Sequence, residues 1–264
     1  MYSTVHPIGI PAVLCSVLLL APLAAGAADD AATPEFDRPG IAFSTSIIPR
    51  GSVAVELGTP DFLHESSGGS TSTLYRLDTN IRTGLGHGVE FQLATPVYNY
   101  DVTDSGGQSA SSTGFGDSSL SLKVALPSRS SRFSWAVLAS ATFASGAKSF
   151  SSGTTQYRLA TSMFEDLNDI CSAGLYVELD DSAGPSGYVL SPNFNFAIRP
   201  TLSGYLEAAY IHATDSPDTS IAGAGLAWFV TPIIQLDVSM DVGLTRESPK
   251  LQGGFGVSVY LAML

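Results

Sequence analysis

Beyond its first 28 residues the chain contains no apolar run approaching the roughly 18 residues that a membrane-crossing helix needs. Cysteine is almost absent: only Cys15 and Cys171 occur, and Cys15 lies in the leading apolar stretch, so a processed chain could form no internal disulfide. Histidine is equally scarce. His6, His64, His87 and His212 lie far apart, with no pair at helical spacing and no cysteine pair, so no zinc or other metal site is expected. Basic residues are few. Twelve Lys+Arg against 24 Asp+Glu leave a net charge of −12, which argues against nucleic acid and anionic headgroups as partners. Only 14% of residues are charged, but 44% are hydrophobic, which excludes a disordered chain. The glycine patterns at 51–58 and 84–88 have no helix behind them, so neither reads as a phosphate or dinucleotide loop. A chain with positive mean hydropathy (+0.22) and no long apolar runs must spread its apolar residues singly. Alternation along strands does this, and it is the mark of a barrel that faces lipid.

The leading segment is an address. Apolar Ile8 to Ala25 is followed by small residues around Gly26 and then by Asp29-Asp30, so residues 1–28 read as a signal peptide cut near Ala27 or Ala28. The segment before Ile8 carries no Lys or Arg, but Pro11, Pro22 and the acidic flank oppose an uncleaved helix. Cys15 follows Leu14, which is not a lipoprotein cleavage pattern. Residues 29–50 form a periplasmic lead-in, and residues 51–264 form the transmembrane β-barrel. Pro34, Pro39 and Pro49 oppose a long helix in the lead-in, and whether it hangs free or plugs the barrel is left open.

About twelve segments of roughly ten residues alternate with period two and end at turn residues. Short connections at 84–87, 127–132, 167–170, 198–201 and 231–232 alternate with long polar ones at 62–71, 100–114, 145–154, 181–186, 212–219 and 245–251. The fold class is therefore all-β: an antiparallel transmembrane barrel of about 12 strands, with short periplasmic turns and longer extracellular loops. Charge decides the facing. Arg76, Asp78, Asn80 and Arg82 share one parity, opposite Leu77, Thr79 and Ile81; Asp237 and Asp241 oppose Leu236, Val238 and Met240. A charge facing lipid at mid-membrane costs about 2–4 kcal/mol, so the polar sets should point inward. Phe133, Trp135, Phe164, Phe194, Phe196, Trp228 and Phe229 near the short turns, with Tyr98, Tyr100, Tyr188 and Tyr210 near the long loops, predict two aromatic belts. The chain ends in Leu264 rather than the phenylalanine usual at the end of such barrels.

Several short motifs, in order and spacing, carry a resemblance. They are Asp37-Arg38-Pro39-Gly40, Gly51 to Gly58 (GSVAVELG), Arg82-Thr83-Gly84-Leu85, Val89-Glu90-Phe91, Gly114-Phe115-Gly116-Asp117, Leu122-Lys123, Gly204-Tyr205-Leu206-Glu207 and Gln235-Leu236-Asp237. With them the chain resembles the outer-membrane transporter family of the MetA pathway of phenol degradation, over nearly its whole length after residue 28. That resemblance implies a transport barrel in the outer membrane of a Gram-negative bacterium, with aromatic compounds as a candidate cargo. It implies as partners outer-membrane lipid, a small-molecule solute and the barrel assembly machinery, and no cofactor.

Candidate lumen-lining residues are Glu56, Arg76, Asp78, Arg82, Glu90, Asp117, Lys123, Arg158, Glu178, Glu207, Asp237 and Asp241. Acids outnumber bases among them, so an open lumen would favour cations. A lumen with every charge paired would be a rigid polar plug instead. No catalytic, cofactor-binding or metal residue stands out, and an enzyme is not expected. Two other readings stay open: a structural or interaction barrel with a closed lumen, and a barrel phospholipase. The second rests on the spacing His64-Glu65-Ser66 with Asn80 downstream, in a Ser/Gly-rich stretch typical of solvated loops.

Overall fold

The computed structural model describes residues 35–182 and 186–261. The expected signal peptide at 1–28 and the terminal Leu264 lie outside the described residues. Thirteen strands follow in chain order: β1 (Val53–Ser67), β2 (Ser70–Gly86), β3 (Val89–Ser105), β4 (Gln108–Gly114), β5 (Ser118–Leu126), β6 (Phe133–Phe143), β7 (Gln156–Asp166), β8 (Cys171–Ser182), β9 (Gly187–Arg199), β10 (Leu202–Ala213), β11 (Thr219–Thr231), β12 (Ile234–Gly243) and β13 (Leu251–Leu261). Successive strands pair antiparallel, except that β4 and β5 do not pair with each other, and β1 pairs with β13 to close the wall. β4 and β5 are one barrel strand kinked at residues 115–117. Both pair with β3 in a single register, Asn99 opposite Gly114 and Ala94 opposite Ser119. The wall is thus a closed antiparallel barrel of 12 strands.

Alternation places the side chains as their charge dictates. In β2, Arg82 is fully buried while Ile81 and Leu85 are 39% and 50% exposed. In β12, Gln235, Asp237 and Asp241 are buried, and Leu236, Met240 and Val242 are exposed. Charge inside and aliphatic groups outside is the reverse of a water-soluble barrel, whose contiguous outer face could not remain apolar.

Two connections differ from the sequence expectation. The polar stretches 62–71 and 100–114 predict loops, but the strands run on through them to two-residue turns at Gly68-Gly69 and Gly106-Gly107. All four glycines have positive φ (58° to 84°), the conformation of a tight turn whose twist matches its flanking strands. Serine and threonine there alternate on a strand rather than forming a loop. The belts are also thinner than expected, because Phe164 and Phe229 turn inward. Phe164 lies over Gly174 beside the inward Asn193, and Phe229 stacks on Phe36 with ring centroids 5.8 Å apart. At the far rim, Tyr188, Tyr210 and His212 cluster on the outer face; hydrogen bonds to Tyr210 and His212 hold the Asp218 carboxyl below its usual range.

Candidate functional site: a lumen crossed by the N-terminal segment

Of the two positions open to the lead-in, residues 35–50 take the interior one. They are not a segment outside the barrel: they cross the lumen, touch β1–β3, swing past β12 and β10 to β6–β8, and return to β1. The physical reason is charge. Wall strands placing Glu56, Arg82, Glu90 and Lys123 in a dry interior leave groups that need partners, and the segment supplies them.

The centre of this network is Arg82. Its Nη1 donates to Glu56 Oε1 at 2.6 Å, and its Nε and Nη2 donate to the two oxygens of Glu90 at 2.7 and 3.1 Å. Asp37, from the segment, sits 2.7 Å from Lys123 Nζ and 3.3 Å from Arg82 Nη1, and also accepts from Gln92 at 2.8 Å. Backbone groups complete the set. Asp37 N–H and Arg38 N–H donate to Glu56, and Ile48 N–H donates to Glu90. Four of the candidate residues thus meet around one segment carboxylate.

A second anchor is Arg38. Its guanidinium grips both oxygens of Asp61 at 2.8 and 3.0 Å and reaches Asp237 at 3.2 Å, while its carbonyl accepts from Gln235. Further on, Ile41 N–H donates to Glu207 at 2.9 Å. The third anchor is apolar: Phe43 packs with Ala136, Leu138, Ala160 and Tyr176 on β6–β8. The return passes so close to β2 that a Cβ at Gly84 would collide with the Ile48 and Pro49 carbonyls.

The remaining candidates stand apart. Arg158 pairs with Glu178 at 3.2 Å, and Tyr176 donates to the same carboxylate. Arg76 and Asp78 form a half-exposed pair at 3.3 Å. Asp241 accepts from Gln252 at 3.0 Å. Among the described residues, Asp237 Oδ2 and Asp241 Oδ1 have no protein partner.

Asp117 differs from the others. Alternation from Lys123 predicts it on the lumen face, but the kink between β4 and β5 carries it out of the strand. There it accepts from Gly146 N–H and Ser152 N–H, each at 2.8 Å, and from the Ser152 hydroxyl at 2.9 Å. It latches residues 144–155, and through them it seats Phe150 against Gly114, where a Cβ would crowd the ring. Burial pushes the Asp117 carboxyl up, but the N–H donors outweigh that and hold it below its ordinary 3.8. A depressed folded-state value contributes stability above the unfolded pKa that is lost as pH falls through the folded one. Pepsin cleavage within 144–155, divided by the rate on an unfolded reference peptide at the same pH, should therefore stay flat down to about pH 4 and rise only below it. Cleavage that climbs steadily from about pH 6 would contradict the latch.

Sequence reasoning missed Asp61 and Arg38. The β1 register shifts between Gly58 and Asp61, so alternation counted from Glu56 assigns Asp61 to the outer face. Pro60 within the strand was the available signal. The hydrolase constellation is not assembled. His64 lies opposite Thr73 and bonds its hydroxyl at 2.8 Å, whereas Asn80 lies opposite Glu56, six ladder pairs away.

A closed barrel with a charged interior and an aliphatic exterior defines the class of outer-membrane-type β-barrels. More particularly, the chain belongs to the family described as "Putative MetA-pathway of phenol degradation", whose model matches residues 36–261. No curated protein matches it in sequence. Among solved structures it is similar to an outer membrane channel from Pseudomonas putida F1, at 12% identity and TM-score 0.64, over 86% of this chain and 99% of that one. The KdgM porin in complex with disordered oligogalacturonate is 15% identical with TM-score 0.51, over 81% of this chain and 99% of that one. The NanC porin is 11% identical with TM-score 0.51, over 80% of this chain and 100% of that one. At such identities the likeness is one of fold.

Proposed function

We propose that the protein is an outer-membrane channel for passive transport of small solutes, with aromatic compounds as a candidate class. The observation that carries this reading is the inverted barrel: an aliphatic outer face suited to lipid around an interior lined by ionised groups. Solute moves down its gradient, and no energy source or cofactor takes part. Carboxylates exceed cationic groups along β10–β13 and the upper part of β1, where Asp61 and Asp237 share Arg38 while Glu207 and Asp241 form no ion pair among the described residues. Asp237 Oδ2 and Asp241 Oδ1, buried and without a protein partner among the described residues, add negative potential that favours mobile cations over anions there.

A closed-lumen structural or interaction barrel is the second reading, and the crossing segment favours it, since residues 35–50 span the interior from β1 to β8. Planar-bilayer conductance of the refolded chain lacking residues 1–28, with insertion checked by liposome flotation, separates the two. Discrete cation-selective steps are expected, and changing Asp237 and Asp241 together to Asn should move the reversal potential in a salt gradient towards zero. An unchanged reversal potential would remove these two residues from selectivity. Silence from a demonstrably inserted barrel would favour the closed lumen.

A further inference from the structure

On the side of the crossing segment nearest the glycine hairpins, a cavity of about 230 Å³ opens between β1, β2, β3, β4 and the latched loop. Leu63, Leu74 and Phe150 supply its apolar lining, and Glu65, Ser72, Asp101, Ser112 and Ser149 its polar lining, with Asp101 directly across the ladder from Leu74. We propose that this cavity binds a small single-ring molecule carrying a hydroxyl or ammonium donor, and that it rejects the carboxylate analogue of the same ring. The proposal rests on the channel reading for its purpose, but the site stands on its own geometry.

Size comes first. A cavity of about 150 Å³ lined by aliphatic and aromatic side chains already accepts benzene. The larger volume here leaves room for a ring with one polar substituent. Shape comes next. Phe150 is not a loose loop residue: its N–H donates to the Ala147 carbonyl at 2.7 Å, the Ala147 N–H donates to the Phe115 carbonyl at 2.9 Å, and Asp117 fixes both ends of the turn. Gly114 alone allows the ring to sit this close to β4. A pre-seated aromatic face offers stacking or edge contact to a ring, and cation–π attraction to an ammonium.

The polar lining sets the charge preference. Asp101 is oriented by the Ser72 hydroxyl at 2.7 Å and the Thr103 hydroxyl at 3.1 Å, one on each oxygen, which leaves lone pairs directed to further donors. Glu65 stands at the mouth. Neither Lys nor Arg lines the cavity among the described residues. An entering anion would meet two carboxylates without a cation, whereas a hydroxyl or ammonium meets acceptors. This part of the wall escaped sequence reasoning because residues 62–71 and 100–114 read as loop.

Benzylamine, benzyl alcohol and benzoate share one ring and differ only in the donor or charge, which makes them the probes. Saturation-transfer NMR on the refolded chain in micelles should show saturable binding of the amine and the alcohol, and at least roughly tenfold weaker binding of benzoate. Asp101→Asn, which retains an acceptor for Ser72, should abolish the preference for amine over benzoate. Phe150→Ala should weaken the amine and the alcohol alike, and Ser112→Phe, which fills the cavity without touching the latch, should block both. Equal binding of all three probes, or binding indifferent to Phe150→Ala and Ser112→Phe, would overturn the site. Binding needs no current, so intact binding by a barrel that never conducts would defeat the channel reading and leave the site standing.

Discussion

Replacing Arg82 by alanine should be the most destabilising single change in the barrel, costing about 3–5 kcal/mol. The side chain is fully buried and is bonded to Glu56, to both oxygens of Glu90 and to the Glu35 carbonyl at 3.1 Å. Removing it leaves two wall carboxylates and Asp37 in a buried space with Lys123 as their only neighbouring cation among the described residues. Each stranded charge must recruit water or a proton, and the segment loses the partner that holds Asp37. Arg82→Lys tests the geometry separately. It keeps the charge but cannot fork between two carboxylates, so it should fall between wild type and alanine. Adding Glu56→Gln and Glu90→Gln to Arg82→Ala should recover part of the loss, because the stranded charges go with the arginine. The measurement is the urea midpoint of the barrel folded in vesicles. A shift for Arg82→Ala no larger than the about 0.5 kcal/mol of an ordinary surface change would show that water reaches this network.

The wall of this molecule is legible in its sequence and the contents of the wall are not. Strand facing follows from where Arg82, Asp237 and Asp241 sit against Ile81, Leu236 and Met240, because lipid and charge cannot share a face. That logic is local, and it breaks where the backbone breaks alternation: at the β1 register shift before Asp61, and at the kink that lifts Asp117 out of its strand. The stretches 62–71 and 100–114 mislead for a different reason. Serine and threonine in 62–71 read as loop by polarity, but the Gly68-Gly69 pair between alternating strands marks a tight hairpin. The interior segment has no local signature at all. Arg38 meets Asp61 and Asp237, 23 and 199 residues away, and such contacts exist only once the barrel has closed. Two hints were present. The wall carries more acid than base, so something must supply cations, and Phe36 and Phe43 are too apolar for a segment free in water.

The same contacts determine what deleting the segment should do. Without residues 35–47, the barrel keeps the Arg82–Glu56–Glu90 core, since those bonds lie wholly within the wall, and Ile48–Arg50 still pack against Glu90 and Gly84. What goes is the chain crossing from β1 to β8. A twelve-stranded barrel lies between the filled eight-stranded kind and the open porin, so its free bore depends on what occupies it. Single-channel conductance should therefore rise several-fold on deletion, with quieter steps. Phe43→Asp makes the complementary test. It leaves the segment in place but sets a charge against Ala136, Leu138, Ala160 and Tyr176; Lys123 Nζ, 5.5 Å from the centre of the Phe43 ring, is already held by Asp37 at 2.7 Å, so the far end should undock while Arg38 and Asp37 still hold the near end. The current should then flicker between the full-length and the deleted levels, since a half-anchored segment re-enters the lumen. A deletion that conducts like the full chain would mean that solute passes beside the segment without needing it to move. A full chain that is silent beside a conducting deletion would make the segment the gate of the channel, with its three anchors as the contacts that opening must break.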